Sequence, residues 1–393
     1  MVIPKSDSDK IISSLKEEQM KVYFVVKEPY ERTINHFVSS LGNALQKQGC
    51  EVVYGLERLW ADDVFNCDII HFQWPEYVWG SQKKEFSDND ITRISHRLAQ
   101  LKEKGIKVFV QVHNLKPHTN KDQNVLRLYE LLYQQADVMV HLGNYSRDLL
   151  QPQYPYAQHI VIPHHIYDDV YNFSISQEEA RQRLHLPLDK IIVLSFGKFR
   201  NDEERNFVLR LQKEINSQFS IFNSQFSTLF LMPGFYRETL HTWNSKKLAV
   251  RLYNTCKYKL KGITFCNDII PDNLMQCYFC AADVVLIQRL DILNSGNLPM
   301  AFHAGKVVVG PDVGNVGEIL RETCNYTFDP HDISSAVSAL QKALIVTSKG
   351  KENKEYAVKY WSSDIIAAEM LKHYQQSITY GHENIKKDKT MVG

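Results

Sequence analysis

The chain lacks any apolar run approaching the roughly 20 consecutive residues that a membrane-spanning helix needs. It also lacks charge of a dominant sign, with 46 Lys and Arg against 45 Asp and Glu and a net charge of +1. No global field therefore draws it to nucleic acid or to an acidic membrane, and any anion must be bound by local cations and helix ends. Its seven cysteines are scattered and odd in number, which speaks against a disulfide scaffold and for a reducing compartment. Cys277 and Cys280 form a lone C-x-x-C inside a helical pattern, without a second pair at zinc spacing. The first residues lack the apolar core of a signal peptide. These absences lead us to expect a cytoplasmic protein with no metal site. What the chain does contain is ordinary globular material, 44% hydrophobic and 23% charged. Its 393 residues favour two or three domains.

Strand and helix patterns alternate almost throughout. Apolar runs predict strands at Lys21–Val26, Glu51–Tyr54, Asp68–Phe72, Lys107–Val112, Val138–His141 and Ile160–Ile162. Between them, amphipathic patterns predict helices at Ile34–Gln48, Asp88–Lys104 and Val125–Gln135. The order then restarts, with strands at Ile191–Phe196, Thr228–Met232, Gly262–Phe265, Asp283–Gln288 and Lys306–Gly310 and a helix near Asn206–Ile215. Repeated β-α-β order implies a doubly wound parallel sheet, so the expected fold is α/β with two Rossmann-like doubly wound domains facing across a cleft. Met1–Gln19 shows no clear core face and reads as a dispensable extension. Asn216–Ser220 recurs as Asn223–Ser227, and this short duplication predicts a lengthened loop between helix and strand.

One segment is more specific. The strand Asp283–Gln288 is followed by Asn294-Ser295-Gly296-Asn297, which opens a short helix over Leu298–Ala304 with Gly305 at its C-terminal end. A strand, Lys306–Gly310, and a glycine-bearing loop, Pro311–Gly317, come next. The first N–H groups of a helix lack internal partners, and the dipole adds positive potential there. Glycine lets a phosphate approach the backbone. The segment predicts a nucleotide diphosphate held at the C-terminal edge of a parallel sheet.

Taken together, the two halves, the Asn-Ser-Gly loop and the run AFHAGKVVVGPDVGNVGE resemble the GT-B glycosyltransferases, particularly the group-1 type. The resemblance spans Met20 to about Ile378. It implies an extension at 1–19, an acceptor-binding domain at 20–165, a nucleotide-sugar-binding domain at 166–355, a helix at 356–378 crossing back to the first domain, and a tail at 379–393. The implied activity is transfer of a hexose from a UDP- or GDP-linked donor to a saccharide or lipid-linked saccharide, as in polysaccharide biosynthesis. The donor is a substrate, and no separate cofactor is implied. Peripheral contact with a membrane that holds the acceptor is a compatible location. A nucleotide-sugar 2-epimerase and a catalytically silent sugar-binding subunit are the alternatives.

The resemblance also assigns residues. Lys198, Arg200 and Arg205 lie where the family places a basic pair against the diphosphate, although Glu203 falls near the expected lysine. Asn294, Ser295, Gly296 and Asn297 form the phosphate loop, Ile269 matches the position that contacts the base, and Glu318 is placed to accept ribose hydroxyls. A solvated charged turn is the alternative for the first set and a helix-dipole glutamate for the last. His113, at a strand end, is the candidate base or sugar ligand, with Glu76 and Asp291 in reserve. Gln73 and Trp74 are candidate acceptor contacts, or an aromatic lid on the domain edge. Many retaining members carry a pair of glutamates at positions that here hold Ile292 and Met300, so the anomeric stereochemistry is left open. Asp88-Asn89-Asp90 resembles a metal-binding D-x-D but precedes a helix, where acidic caps are favoured.

Overall fold

The computed structural model describes residues 19–27, 36–80, 85–116, 122–222, 228–234, 249, 253, 256, 263–264, 270–346 and 348–390. Almost all of Met1–Gln19, the second copy of the NSQFS repeat, and Ile269 lie outside them.

Twelve strands of the described residues form two six-stranded sheets. The first contains β1 (Lys21–Val25), β2 (Glu51–Val53), β3 (Ile69–Phe72), β4 (Lys107–Val112), β5 (Val138–His141) and β6 (Gln158–Val161). Its order is β2-β1-β3-β4-β5-β6, and every pairing is parallel. The second contains β7 (Ile191–Leu194), β8 (Thr228–Leu231), β9 (Ile263–Thr264), β10 (Val284–Leu286), β11 (Val307–Pro311) and β12 (Tyr326–Phe328). Its order is β12-β11-β10-β7-β8-β9, again wholly parallel. Within this half the order is that of a Rossmann sheet, and it reverses between β7 and β10. A ligand crevice forms outside the strand ends at such a reversal.

Burial explains the strand sequences. A parallel sheet with helices on both faces has no wet side, so its strands read as continuous apolar runs. All four residues of β3, β5 and β8 are buried. The first half's helices are α1 (His36–Lys47), α2 (Asp88–Glu103), α3 (Gln123–Gln135) and α4 (Asn144–Leu150). Phe37, Val38, Leu41, Ala44 and Leu45 give α1 its buried stripe. Ser87 starts α2 with a capping box, accepting from Asp90 N–H while the Asp90 carboxylate accepts from Ser87 N–H. The D-x-D segment is thus a helix start, with Asp88 paired to Arg127.

The second half holds α5 (Gln177–Arg183), α6 (Asp202–Phe222), α7 (Asp272–Ala281), α8 (Asn297–His303), α9 (Gly314–Glu322) and α10 (Ile333–Ile345). Three departures from the sequence reading have physical causes. The first copy of the NSQFS repeat lengthens α6 rather than a loop, because the helix runs through Asn216–Ser220 to Phe222. Pro311–Gly317 is mostly not a loop, since Pro311 ends β11 and α9 begins at Gly314. The segment expected as one final helix is two, α11 (Lys349–Trp361) and α12 (Ser363–Thr390), broken at Ser362 in extended conformation.

The apolar core that joins the halves includes Phe24 and Phe109 of the first sheet, Leu194 and Val285 of the second, and Tyr374 of α12. α12 returns to the first half. Tyr374 bonds the buried His71 Nδ1 at 2.7 Å, Lys47 faces Asp364, and Ser40 bonds Ser363 at 3.1 Å.

Candidate active site at the facing strand ends

The C-terminal ends of the two sheets meet. Asn294, beyond β10, donates through Nδ2 to the carbonyls of His113 (2.9 Å) and Val112 (3.3 Å) at the end of β4. Asn315, in the first turn of α9, donates to Asn294 Oδ1 (2.7 Å) and to Ser146 Oγ (3.1 Å), and accepts from Ser146 N–H (3.0 Å). Glu318 accepts from Asn144 N–H (3.0 Å), Asn144 Nδ2 (2.7 Å) and Tyr145 N–H (2.5 Å). Its carboxylate therefore sits on the start of α4 in the opposite half. Serving a ribose would require it to release that helix. It is the fifth residue of α9 rather than a first-turn residue.

His113 lies where β4 runs out, with its ring stacked on Trp74 at 4.4 Å and an interplanar angle of 13°. Phe37 meets it edge-on at 4.8 Å. Its Nε2 is 2.9 Å from Gln73 Oε1, so Nε2–H donates and the Nδ1 lone pair remains. Burial, then the neighbouring His164, His71 and His165, hold its pKa well below the ordinary histidine value. It is neutral at physiological pH, the state a proton acceptor needs. Gln73 is buried, and its Nε2 has no hydrogen-bond partner. Gln73, Trp74 and His113 are brought together. Glu76 is directed elsewhere, into a bond with Tyr129 of α3, and burial raises its pKa. Asp291 is exposed.

On the second half, the loops after β7 and β10 are stitched together. Asn297 Nδ2 and Gln288 Nε2 both donate to Phe196 O, at 2.8 and 3.1 Å. Lys198 and Arg200 follow on the β7 side, both exposed. Arg205 instead turns along α6 to Asp202 at 2.5 Å, and Glu203, at the expected lysine, is exposed in the first turn of α6. Gly296 has φ −64, so its backbone does not demand glycine. A Cβ there would lie 3.4 Å from Tyr167 Oη and 3.8 Å from His164 Nε2, ordinary van der Waals contact, so the protein's own packing does not demand glycine either. Ser295 and His164 line a cavity of about 20 Å³, room for one water.

Sequence reasoning missed Arg289. It follows the end of β10, and its Nη1 lies 2.8 Å from Glu204 Oε2, with side-chain exposures of 16% and 5%. Its place just past an apolar strand run, like that of His113, is a signal that could have found it. The positions held by glutamates in many retaining transferases, Ile292 and Met300, are buried and apolar, only 7% and 6% exposed.

Neither a family model nor a curated protein matches the sequence. Solved structures do match the fold. Sucrose-phosphate synthase from Thermosynechococcus elongatus superposes with a TM-score of 0.67 at 16% identity, covering 92% of this chain and 100% of that one. HepE from Anabaena, in complex with UDP and glucose, gives 0.62 at 12% identity over 91% and 100% of the two chains. A glycosyltransferase from Rickettsia africae gives 0.61 at 12% identity over 92% and 99%. Two parallel-sheet halves in this arrangement are the GT-B fold of glycosyltransferases.

Proposed function

We propose that the protein transfers a hexose from a nucleotide-sugar donor, UDP- or GDP-linked, to a saccharide or lipid-linked saccharide acceptor. The observation that carries this reading is the reversal of strand order between β7 and β10, flanked by Lys198 and Arg200 and opposed across the cleft by neutral His113. The GT-B structures that resemble the chain include one bound to UDP and glucose and another, starch synthase IV from Arabidopsis thaliana, bound to ADP and acarbose.

Glycosyl transfer builds negative charge on the departing diphosphate, and preorganised cations and N–H donors at that point lower the barrier. Lys198, Arg200 and the N–H groups of Ser295 to Asn297 are the groups assigned to that charge. His113 Nδ1 accepts the proton of the attacking hydroxyl or bonds the transferred sugar, and Trp74 and Gln73 guide the acceptor. The apolar Ile292 and Met300 supply no carboxylate to the donor, so a transfer through the paired-glutamate arrangement is not part of the reading. Among the described residues no helix is long and apolar enough to cross a membrane, and a lipid-linked acceptor would be met at the membrane surface.

The test is a thermal-shift screen with UDP, GDP and ADP, followed by transfer assays with the sugars of whichever nucleotide binds. A ligand of the folded state raises Tm by mass action. Stabilisation by at least one nucleoside diphosphate is expected; none at millimolar concentration would overturn the proposal.

A further inference from the structure

We infer that Arg289, positioned by Glu204, is a diphosphate-binding residue of this chain, so that the donor is gripped from both sides of the strand-order reversal. This rests on the nucleotide-sugar reading above and adds to it a residue that the sequence motif does not contain.

The inference starts from an electrostatic shortfall. A diphosphate at the ends of β7 and β10 needs cations aimed at it, and two of the charged side chains after β7 do not serve. Glu203 has the wrong sign, and Arg205 is turned to Asp202. The β10 side has Arg289, three residues past the strand. Its guanidinium is largely buried and held by a carboxylate that is itself 5% exposed. The same carboxylate oxygen, Glu204 Oε2, accepts from Arg200 N–H at 2.7 Å. One buried acid thus fixes both the backbone that carries Arg200 and the side chain of Arg289. Burial first, and the positive charge of Arg200 after it, hold the Arg289 pKa below the ordinary arginine value.

Two buried polar atoms at the same strand ends, Ser195 Oγ and Gln288 Oε1, lack a hydrogen-bond partner. Leaving such atoms unpaired costs stability in a closed core, so this floor is built to be completed. A planar guanidinium with its fork held on one side can present its remaining N–H groups to a phosphate on the other.

The experiment is isothermal titration of UDP, GDP and ADP, and of the matching nucleosides, into the full-length protein. Arg289→Gln should weaken nucleoside-diphosphate binding roughly tenfold or more, as expected for a lost charge-assisted bond, and leave the weak nucleoside affinity unchanged. Glu204→Gln keeps both arginines but removes the charge that holds Arg289, and should weaken the diphosphate severalfold. Because Arg289→Gln leaves Glu204 buried without its partner, the double variant Glu204→Gln/Arg289→Gln is the folding control and should show the same diphosphate-specific loss. Wild-type protein that binds UDP, GDP or ADP, beside folded double variant that binds it equally, would overturn the role of Arg289 alone. Wild-type protein that binds none of the three would overturn the nucleotide reading and this inference with it.

Discussion

At the residue scale, the proposed chemistry concentrates on His113. Its Nε2–H is spent on Gln73 and its ring is clamped by Trp74 and Phe37, so it has one orientation and one free lone pair. If that lone pair takes the acceptor proton, His113→Ala should lower kcat about a hundred- to ten-thousand-fold. Nucleoside-diphosphate affinity should change far less, because the cations proposed to hold the diphosphate lie on the other half. Near-normal turnover in that variant, beside an inactive Glu76→Gln enzyme, would move the role to Glu76. The surrounding histidines carry a second prediction. Burial lowers His71 and His164 to about 3 and His165 to about 4. In the unfolded chain each takes a proton near pH 6.5. As pH falls below about 6.5 the unfolded state therefore binds protons first, and stability drops progressively until the folded values are reached. Glu76, raised by burial, acts with the opposite sign, giving stability that is lost as pH rises through its folded value. Glu322 is raised by burial as well, but His113, His141, His303 and His373 are lowered along with the other three histidines, so the net fall should dominate. Urea midpoints measured at pH 7.5 and pH 5 check this, with the lower midpoint expected at pH 5. Equal midpoints would remove the histidines as a source of acid sensitivity.

At the element scale, local caps decide how much can be read in advance. α2 spans Asp88–Glu103, within one residue of the expected Asp88–Lys104, because its capping box is made of neighbours in sequence. Ser87→Ala removes that cap and should cost about 1 kcal/mol of stability, visible in denaturant titration with turnover retained. β4 and β5 were legible to the residue for a related reason, since a strand buried on both faces has no polar alternation to blur its limits. α9 was not legible. Gly-Asn-Val-Gly reads as a turn, yet Gly314 starts a helix at φ +58, where an added Cβ would lie 2.4 Å from Ile292 O. What fixes that start is a backbone contact from more than twenty residues away, for which no local signal exists. Gly314→Ala should therefore destabilise by more than the roughly 1 kcal/mol of an ordinary helix substitution, and a ΔTm close to zero would refute the contact. The candidate site divides the same way. His113 and the Asn-Ser-Gly loop announce themselves at strand ends. The Asn144 cap made by Glu318 joins residues 174 apart in sequence, and Glu204 and Arg289 meet only because β7 and β10 pair.

At the scale of the whole molecule, the halves are joined in two chemically different places. The hinge side is apolar, with Tyr167, Phe302, Trp361 and Tyr374 in one continuous core, and α12 ties it down through His71. The cleft side is polar, carried by Asn294, Asn315 and Glu318 against the ends of β4 and the start of α4. The two should respond differently to mutation. Apolar burial is lost only by unfolding, whereas each polar bond across a cleft is exchanged for water at a net cost of about 0.5–1.5 kcal/mol. Glu318→Ala combined with Asn315→Ala should thus leave Tm nearly unchanged and shift the population toward an open arrangement by roughly ten- to a hundredfold. Small-angle scattering should report a larger radius of gyration for the double variant. Its nucleoside-diphosphate affinity should change little if the donor is held by the second half alone, and should fall if closure is part of the site. Tyr374→Phe is the contrasting change, because it leaves buried His71 Nδ1 unpaired. It should lower stability by about 1–3 kcal/mol without opening the cleft. A double variant with wild-type scattering would mean that the apolar hinge by itself sets the angle between the halves, and that the cross-cleft bonds follow closure rather than hold it.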